Sequence, residues 1–208
     1  MRAPASVTLD SQALATLRYI RASMEAAGTV PVPGSAGAAV GIIGLAAATL
    51  SATDALRPWW IEVWLLAALA GATTGALFVA QRNPKPGFAL LGAAVRRVYL
   101  SLLPCLFAGA VLTIVFWHSG NLRAIPGTWL LLYGCALMYA SPVTSRAIGF
   151  LGGAFVLVAL VAFVVPDTDL ARTAVLGIGF GELHVLYAVV VRRTTRGDGE
   201  APARPVSD

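Results

Sequence analysis

Six apolar stretches, each close to twenty residues long and joined by short polar connections, dominate the sequence between residues 34 and 191. Their approximate limits are 34–52, 59–80, 98–117, 125–141, 148–165 and 171–191. About 20 apolar residues in a helix cross the roughly 30 Å of hydrocarbon in a bilayer. That medium satisfies no backbone N–H or C=O, so each stretch must close its own hydrogen bonds as a helix. The expected fold class is therefore all-α: a polytopic membrane helical bundle of six transmembrane helices in three hairpins, preceded by an amphipathic amino-terminal helix. Composition agrees, with 58% hydrophobic and 12% charged residues, where soluble domains run at roughly half and a quarter.

Three segments follow from this. Residues 1–33 hold the amphipathic helix and a linker, 34–193 the six-helix transmembrane domain, and 194–208 a polar, disordered tail rich in Gly, Pro and charge. Leu14, Leu17, Ile20 and Met24 recur at helical spacing over 8–27, with Arg18, Arg21 and Glu25 on the polar side. Such a helix lies on a membrane surface or packs on the end of the bundle. About thirty fairly polar residues precede the first span, so a cleavable signal is not expected. Pro104 falls inside the third span, where a kink is expected.

Charge sets the orientation. Arg2, Arg18 and Arg21 precede the first span; Arg82, Lys85, Arg96 and Arg97 connect the second and third; Arg146 connects the fourth and fifth; and Arg192, Arg193, Arg196 and Arg204 follow the sixth. The alternate connections hold Arg57, Arg123 and Arg172 against Asp54, Asp167 and Asp169. The positive-inside rule then places both termini of a multi-pass membrane protein in the cytoplasm. Trp59, Trp60, Trp64, Trp117 and Trp129 all fall towards the opposite ends of their spans, as an interfacial belt would. The net charge of +5 is spent on orientation, and no continuous basic face for nucleic acid is present. The Arg-Gly-Asp at 196–198 is a chance match on the cytoplasmic side.

Glycines recur in GxxxG pairs at Gly37/Gly41, Gly71/Gly75, Gly149/Gly153 and Gly177/Gly181, in spans one, two, five and six. Small residues at this spacing let membrane helices approach closely, so close packing within each hairpin is expected. The first hairpin superposes on the third, as a duplication would give, while Gly109 and Gly134 of the middle hairpin lack a GxxxG partner. The paired glycine-rich hairpins, Pro166 closing the fifth span and the ending GFGELH resemble the short-repeat acid-resistance membrane protein family. IPGTWLLLYG at 125–134, the amino-terminal RYIRASME and the same ending are also similar to a group of small uncharacterised bacterial six-span inner-membrane proteins. The resemblance implies a bacterial inner membrane and supplies no catalytic residue.

Candidate chemistry concentrates in the last span, which holds Glu182 and His184 deep in an apolar run. Two residues apart on a helix, they point about 200° from each other and cannot serve one pocket as a pair. His184 shares a face with Gly177, Gly181 and Tyr187. It is expected as a neutral imidazole bonded across helices to a backbone carbonyl or to Tyr133, with a proton relay or ligand contact as the alternative. An ionised carboxylate facing lipid at this depth costs at least about 2.5 kcal/mol. Glu182 must therefore be neutral, face a polar cavity, or meet a partner in another helix or protomer. Glu62, one turn from Trp59, is placed to pair with Arg57.

Cys105 and Cys135 lie at similar depth in adjacent spans, but their spacing matches no metal motif, so no metal and no cofactor are expected. The connection from His118 to Arg123 reads as a capped interfacial loop or a contact for a headgroup. No nucleophile elbow, phosphate loop, HExxH pair or carboxylate dyad is present. The leading expectation is a non-catalytic integral membrane protein with a structural, stress-related or accessory role, embedded in the lipid bilayer and associating as a homo-oligomer or with a membrane partner protein. The runner-up is a small transporter, or the membrane substrate-binding subunit of an importer, with Glu182 or His184 lining a cavity. An intramembrane enzyme comes third.

Overall fold

Local chemistry sets the helix ends in the computed structural model, which describes residues 32–82 and 93–197 together with Leu14, Thr16, Leu17, Tyr19 and Ile20. Pro33, extended at φ −70° and ψ 145°, starts α1 (Gly34–Ser51). A short 3-10 turn at Arg57–Trp59 leads into α2 (Trp60–Arg82). The third helix, α3 (Ala93–His118), runs unbroken through Pro104. Gly120, at φ 72°, ends it: Asn121 N–H reaches Phe116 O and Gly120 N–H reaches Trp117 O, a Schellman closure that needs a left-handed residue. Next come α4 (Ala124–Ala140), a 3-10 turn and α5 (Arg146–Val164), whose first turn is capped by the Ser145 hydroxyl accepting from Ile148 N–H. Val165 turns extended ahead of Pro166, as a residue before proline prefers.

The last helix has three parts. An α-helical α6 (Asp169–Leu176), capped by Thr168, passes into a π-helical segment at Gly177–Leu183 and then into α7 (His184–Gly197). Its final turns run into the stretch expected as a tail, of which 198–208 lie outside the described residues. All six apolar stretches are thus helices long and apolar enough to cross a membrane, and no strand occurs among the described residues. Of the expected amphipathic helix, Leu14, Thr16, Leu17, Tyr19 and Ile20 are helical with exposed side chains; the remainder, like the connection at 83–92 with Lys85, lies outside the described residues.

Packing follows an order different from a simple row of hairpins. Helix α1 packs on α2 and on nearly the whole last helix, α5 packs chiefly on α4, and α3 packs chiefly on α4. The first two expected hairpins therefore pair as hairpins, whereas α5 and the last helix each have another main partner. Around the bundle the sequence of neighbours is α2, α1, last helix, α5, α4, α3. The two helices at the ends of this order are the least covered, with 17% of the second span and 11% of the third buried. Leu65, Leu66, Leu69, Leu103, Phe107 and Ile114 are exposed there, a surface suited to hydrocarbon rather than water.

The contact of α1 with the last helix is glycine against backbone. A Cβ on Gly34 would lie 3.1 Å from Ala188 O, on Gly37 3.2 Å from His184 O, on Gly41 2.9 Å from Gly181 O, and on Gly44 2.6 Å from Phe180 O. Residue numbers rise along one helix as they fall along the other, so the two run antiparallel with backbones nearly touching. Gly177 and Gly181 complete the seam against Ala48 and Leu45. A second crossing of this kind joins α4 and α5, where a Cβ on Gly134 would lie 2.7 Å from Gly152 O and a Cβ on Gly152 2.7 Å from Gly134 O.

The other expected packing glycines behave differently. Gly71 makes only ordinary contact with Val40, Gly149 faces Ser141, and Gly75 and Gly153 have no described atom within 4 Å of a Cβ. The seams thus join α1 to the last helix and α4 to α5, and not the two members of each GxxxG-bearing hairpin.

Gly44→Ala is expected to destabilise the bundle by about 1–3 kcal/mol, because the added methyl meets backbone that cannot step aside. Gly75→Ala and Gly153→Ala should leave stability unchanged or raise it, since alanine is the better helix former. Thermal melts in mild detergent, followed by near-ultraviolet circular dichroism, separate the two classes.

Candidate functional site

The π-helical segment determines what the last helix presents to the bundle. Gly177, Gly179 and Gly181 are buried, and a Cβ on Gly179 would collide with Leu130 Cδ2. At the end of the segment His184 sends its backbone N–H to Gly181 O, while its ring Nδ1 lies 3.1 Å from Phe180 O. A carbonyl only accepts, so Nδ1 carries the proton. The other nitrogen, Nε2, lies 3.1 Å from the Tyr133 hydroxyl of α4 and accepts its proton. His184 is 5% exposed, and both of its ring nitrogens are used.

Aromatic rings from three helices enclose this pair. Tyr133 meets Phe155 of α5 edge-on at 4.9 Å, Phe155 meets His184 at 5.4 Å, and Phe180 lies nearly parallel to His184 at 6.4 Å. Phe180 also touches Trp64 of α2 at 6.4 Å. Edge-to-face pairs of this type contribute about 0.5–1.5 kcal/mol each beyond the area they bury. Phe155 is fully buried, as are Leu130 and Leu176 beside it. The arrangement holds an imidazole in one tautomer and one orientation inside an apolar shell.

Of the three candidate residues, the structure brings Tyr133 and His184 together and leaves Glu182 apart. Glu182 is exposed, midway along the sixth span at Asp169–Thr194, with no hydrogen-bond or ion-pair partner among the described residues. Cys105 and Cys135 are free thiols, the second of them exposed, and no group of three metal-ligating side chains occurs among the described residues.

A second polar cluster closes the end of the bundle where the tryptophans lie. Trp60 and Trp129 stack at 6.4 Å with an interplanar angle of 10°. Trp60 Nε1 donates to Thr173 Oγ1 at 3.0 Å, and Trp129 Nε1 donates to Thr113 Oγ1 at 2.7 Å. The stack thereby links α2, α3, α4 and α6. Trp64 is buried as well, with no hydrogen-bond partner for Nε1 among the described residues. Only Trp59 and Trp117 are exposed in the manner of an interfacial belt; Trp60 and Trp64 are buried and Trp129 is half-buried, a departure from the expected belt.

The arginines at this end are engaged locally. Arg172 pairs with Asp167 at 3.2 Å and Asp169 at 2.6 Å, and its guanidinium lies 6.0 Å from the Trp60 ring centroid. Arg123 donates to Phe163 O and Val165 O, covering the carbonyl end of α5. Arg57 pairs with Asp54 at 2.8 Å rather than with Glu62, because both sit in the connection while Glu62 has already entered α2. Arg123 and Arg172 border a notch of about 10 Å³, with room for about one water molecule.

Phe155, Phe180, Thr113 and Thr173 were not singled out from sequence; a Phe in an apolar helix, or a Thr beside one, carries no positional signal of its own. Gly34 and Gly44 could have been found by extending the Gly37/Gly41 spacing one turn each way. Comparison of the chain with known protein families, curated proteins and solved structures finds no match.

A double-mutant cycle of Tyr133→Phe and His184→Phe is expected to return a coupling of about 1 kcal/mol in thermal or denaturant unfolding, the scale of interhelical hydrogen bonds in membranes. Strictly additive losses would mean that the two side chains do not bond.

Proposed function

We propose that this chain is a non-catalytic integral protein of the bacterial inner membrane, with both termini cytoplasmic, that serves a structural or accessory role beside other membrane proteins. The observation that carries this reading is the state of His184. A histidine poised for ligand binding or proton relay presents a free nitrogen to a cavity or water chain; here one nitrogen is bonded to Phe180 O and the other to Tyr133. The rings of Phe155 and Phe180 occupy the space around it. What supports an accessory role is a second cluster of the same kind: the polar groups of Trp60, Trp129, Thr113 and Thr173 are spent on holding helices together.

Orientation is supported by how the basic residues are used. Arg57 and Arg172 are matched by aspartates, and Arg123 is spent on helix carbonyls. The excess positive charge lies at the end that carries the termini, which the positive-inside rule assigns to the cytoplasm.

Two measurements test this reading. Reporter fusions after Arg193 and within the connection between α1 and α2 should read cytoplasmic and periplasmic, respectively. Mass spectrometry of the protein purified in mild detergent should find lipids and protein partners, with no small molecule whose occupancy falls when His184 is changed to Phe. A bound small molecule lost in that variant would instead support the transport reading.

A further inference from the structure

The last helix displays a carboxyl outward at mid-span and is unable to turn it inward. Its rotation is fixed on three sides. Gly181, the neighbour of Glu182, is pressed against Leu45, where even a Cβ would lie 2.7 Å from Cδ2. His184 is bonded to Tyr133 of α4, and the Tyr187 hydroxyl donates to Val32 O at 2.9 Å. Glu182 is thus held facing away from the bundle. Its neighbours along the same stripe, Ile178, Leu186 and Val189, are 40%, 57% and 41% exposed and wholly apolar.

Such a group needs a polar partner at its own depth, and a second copy of the chain supplies one by symmetry. Copies inserted in the same orientation can be related by a two-fold axis along the membrane normal, so a residue near that axis meets its own counterpart at identical depth. At that level Tyr133 and His184 are bonded to each other inside the bundle, and the carboxyl that a second copy presents at the axis is Glu182 itself. A protonated carboxyl both donates and accepts, so two of them are self-complementary, and the flanking aliphatic side chains pack around the pair.

We propose that the stripe of Ile178, Glu182, Leu186 and Val189 is a two-fold contact between copies of this chain, with the two Glu182 carboxyls hydrogen-bonded across the axis. The contact rests on the membrane-spanning reading above, which the reporter fusions test separately. It explains why a carboxyl stands on an otherwise apolar face without a partner among the described residues of its own chain.

Subunit counting of a fluorescently tagged full-length chain, diluted into lipid vesicles, tests it. The wild-type chain and Glu182→Gln should both pair, because the glutamine amide also donates and accepts. Glu182→Leu should pair about tenfold more weakly, the scale of an interhelical polar contact. A chain with Glu182→Lys should pair poorly with itself yet capture the wild-type chain, a gain that misfolding cannot produce. In a background with Cys105→Ala and Cys135→Ala, Leu186→Cys should cross-link under oxidation, whereas Leu157→Cys, exposed on α5, should not. Single subunits for the wild-type chain at every density, equal pairing by Glu182→Leu, or cross-linking through Leu157→Cys alone would each overturn the proposal. Loss of a different co-purifying protein from Glu182→Leu, with the wild-type chain remaining a single subunit, would overturn it in favour of a partner bearing a basic group.

Discussion

Backbone-to-backbone approach between α1 and the last helix is the constraint on which the rest of this structure depends. Lipid offers little hydrophobic incentive for helices to associate, so dispersion between closely fitted surfaces must hold them. Gly34, Gly37, Gly41 and Gly44 remove every side chain from one surface, and the carbonyls of Ala188, His184, Gly181 and Phe180 form the other. This contact joins the first and last spans, so it closes the chain on itself. It also fixes the rotation of the last helix. With the glycine seam on one side, His184 is carried towards α4 and α5, and Glu182 is carried out of the bundle.

Two clusters of bonded polar groups organise the interior. Tyr133, His184, Phe155 and Phe180 form one packed group at mid-span, and Trp60, Trp129, Thr113 and Thr173 form another at the end where α2 and α3 are tied together. Each draws on three or four helices, including spans far apart in sequence. Partners of this kind resist separation because a freed polar group would find no water in the surrounding hydrocarbon. The exposed groups follow the opposite logic: Leu66, Leu69, Phe107 and Ile114 suit lipid, and Glu182 stands out against them.

Much of the architecture was legible in the sequence because it follows from solvent. Apolar run length gives six helices, and Pro166 stops α5 where a proline must; the Ser145 and Thr168 caps were not singled out. The separation of Glu182 from His184 was legible too, since residues two apart on a helix cannot share a face, and Tyr133 was within reach by depth. What escaped was pairing. GxxxG spacing says that a face can approach another closely without saying which, and so Gly71, Gly75, Gly149 and Gly153 looked equivalent to Gly37 and Gly41. The tryptophans escaped for a related reason: their position near span ends fits either an interfacial ring or an interior stack, and only neighbouring threonines from distant spans decide between them.

The π-helical segment at Gly177–Leu183 bears on how this chain tolerates change in length. An α-helix advances about 100° per residue, and the wider turn inserts a phase slip between α6 and α7. Thr173 and Leu176 before the slip, and His184, Tyr187 and Ala188 after it, all point inward. Losing one residue while rewinding as an ordinary α-helix would keep the two halves nearly in phase, because the wide turn holds about one residue more than an α-helix of the same angular span. Keeping all seven residues in an ordinary α-helix would instead swing one half through roughly 100° relative to the other. Either the seam with α1 or the bond to Tyr133 could then be kept, but not both. The segment therefore tolerates a shortening by one residue better than a rewinding at constant length, because two contacts must stay in phase at once.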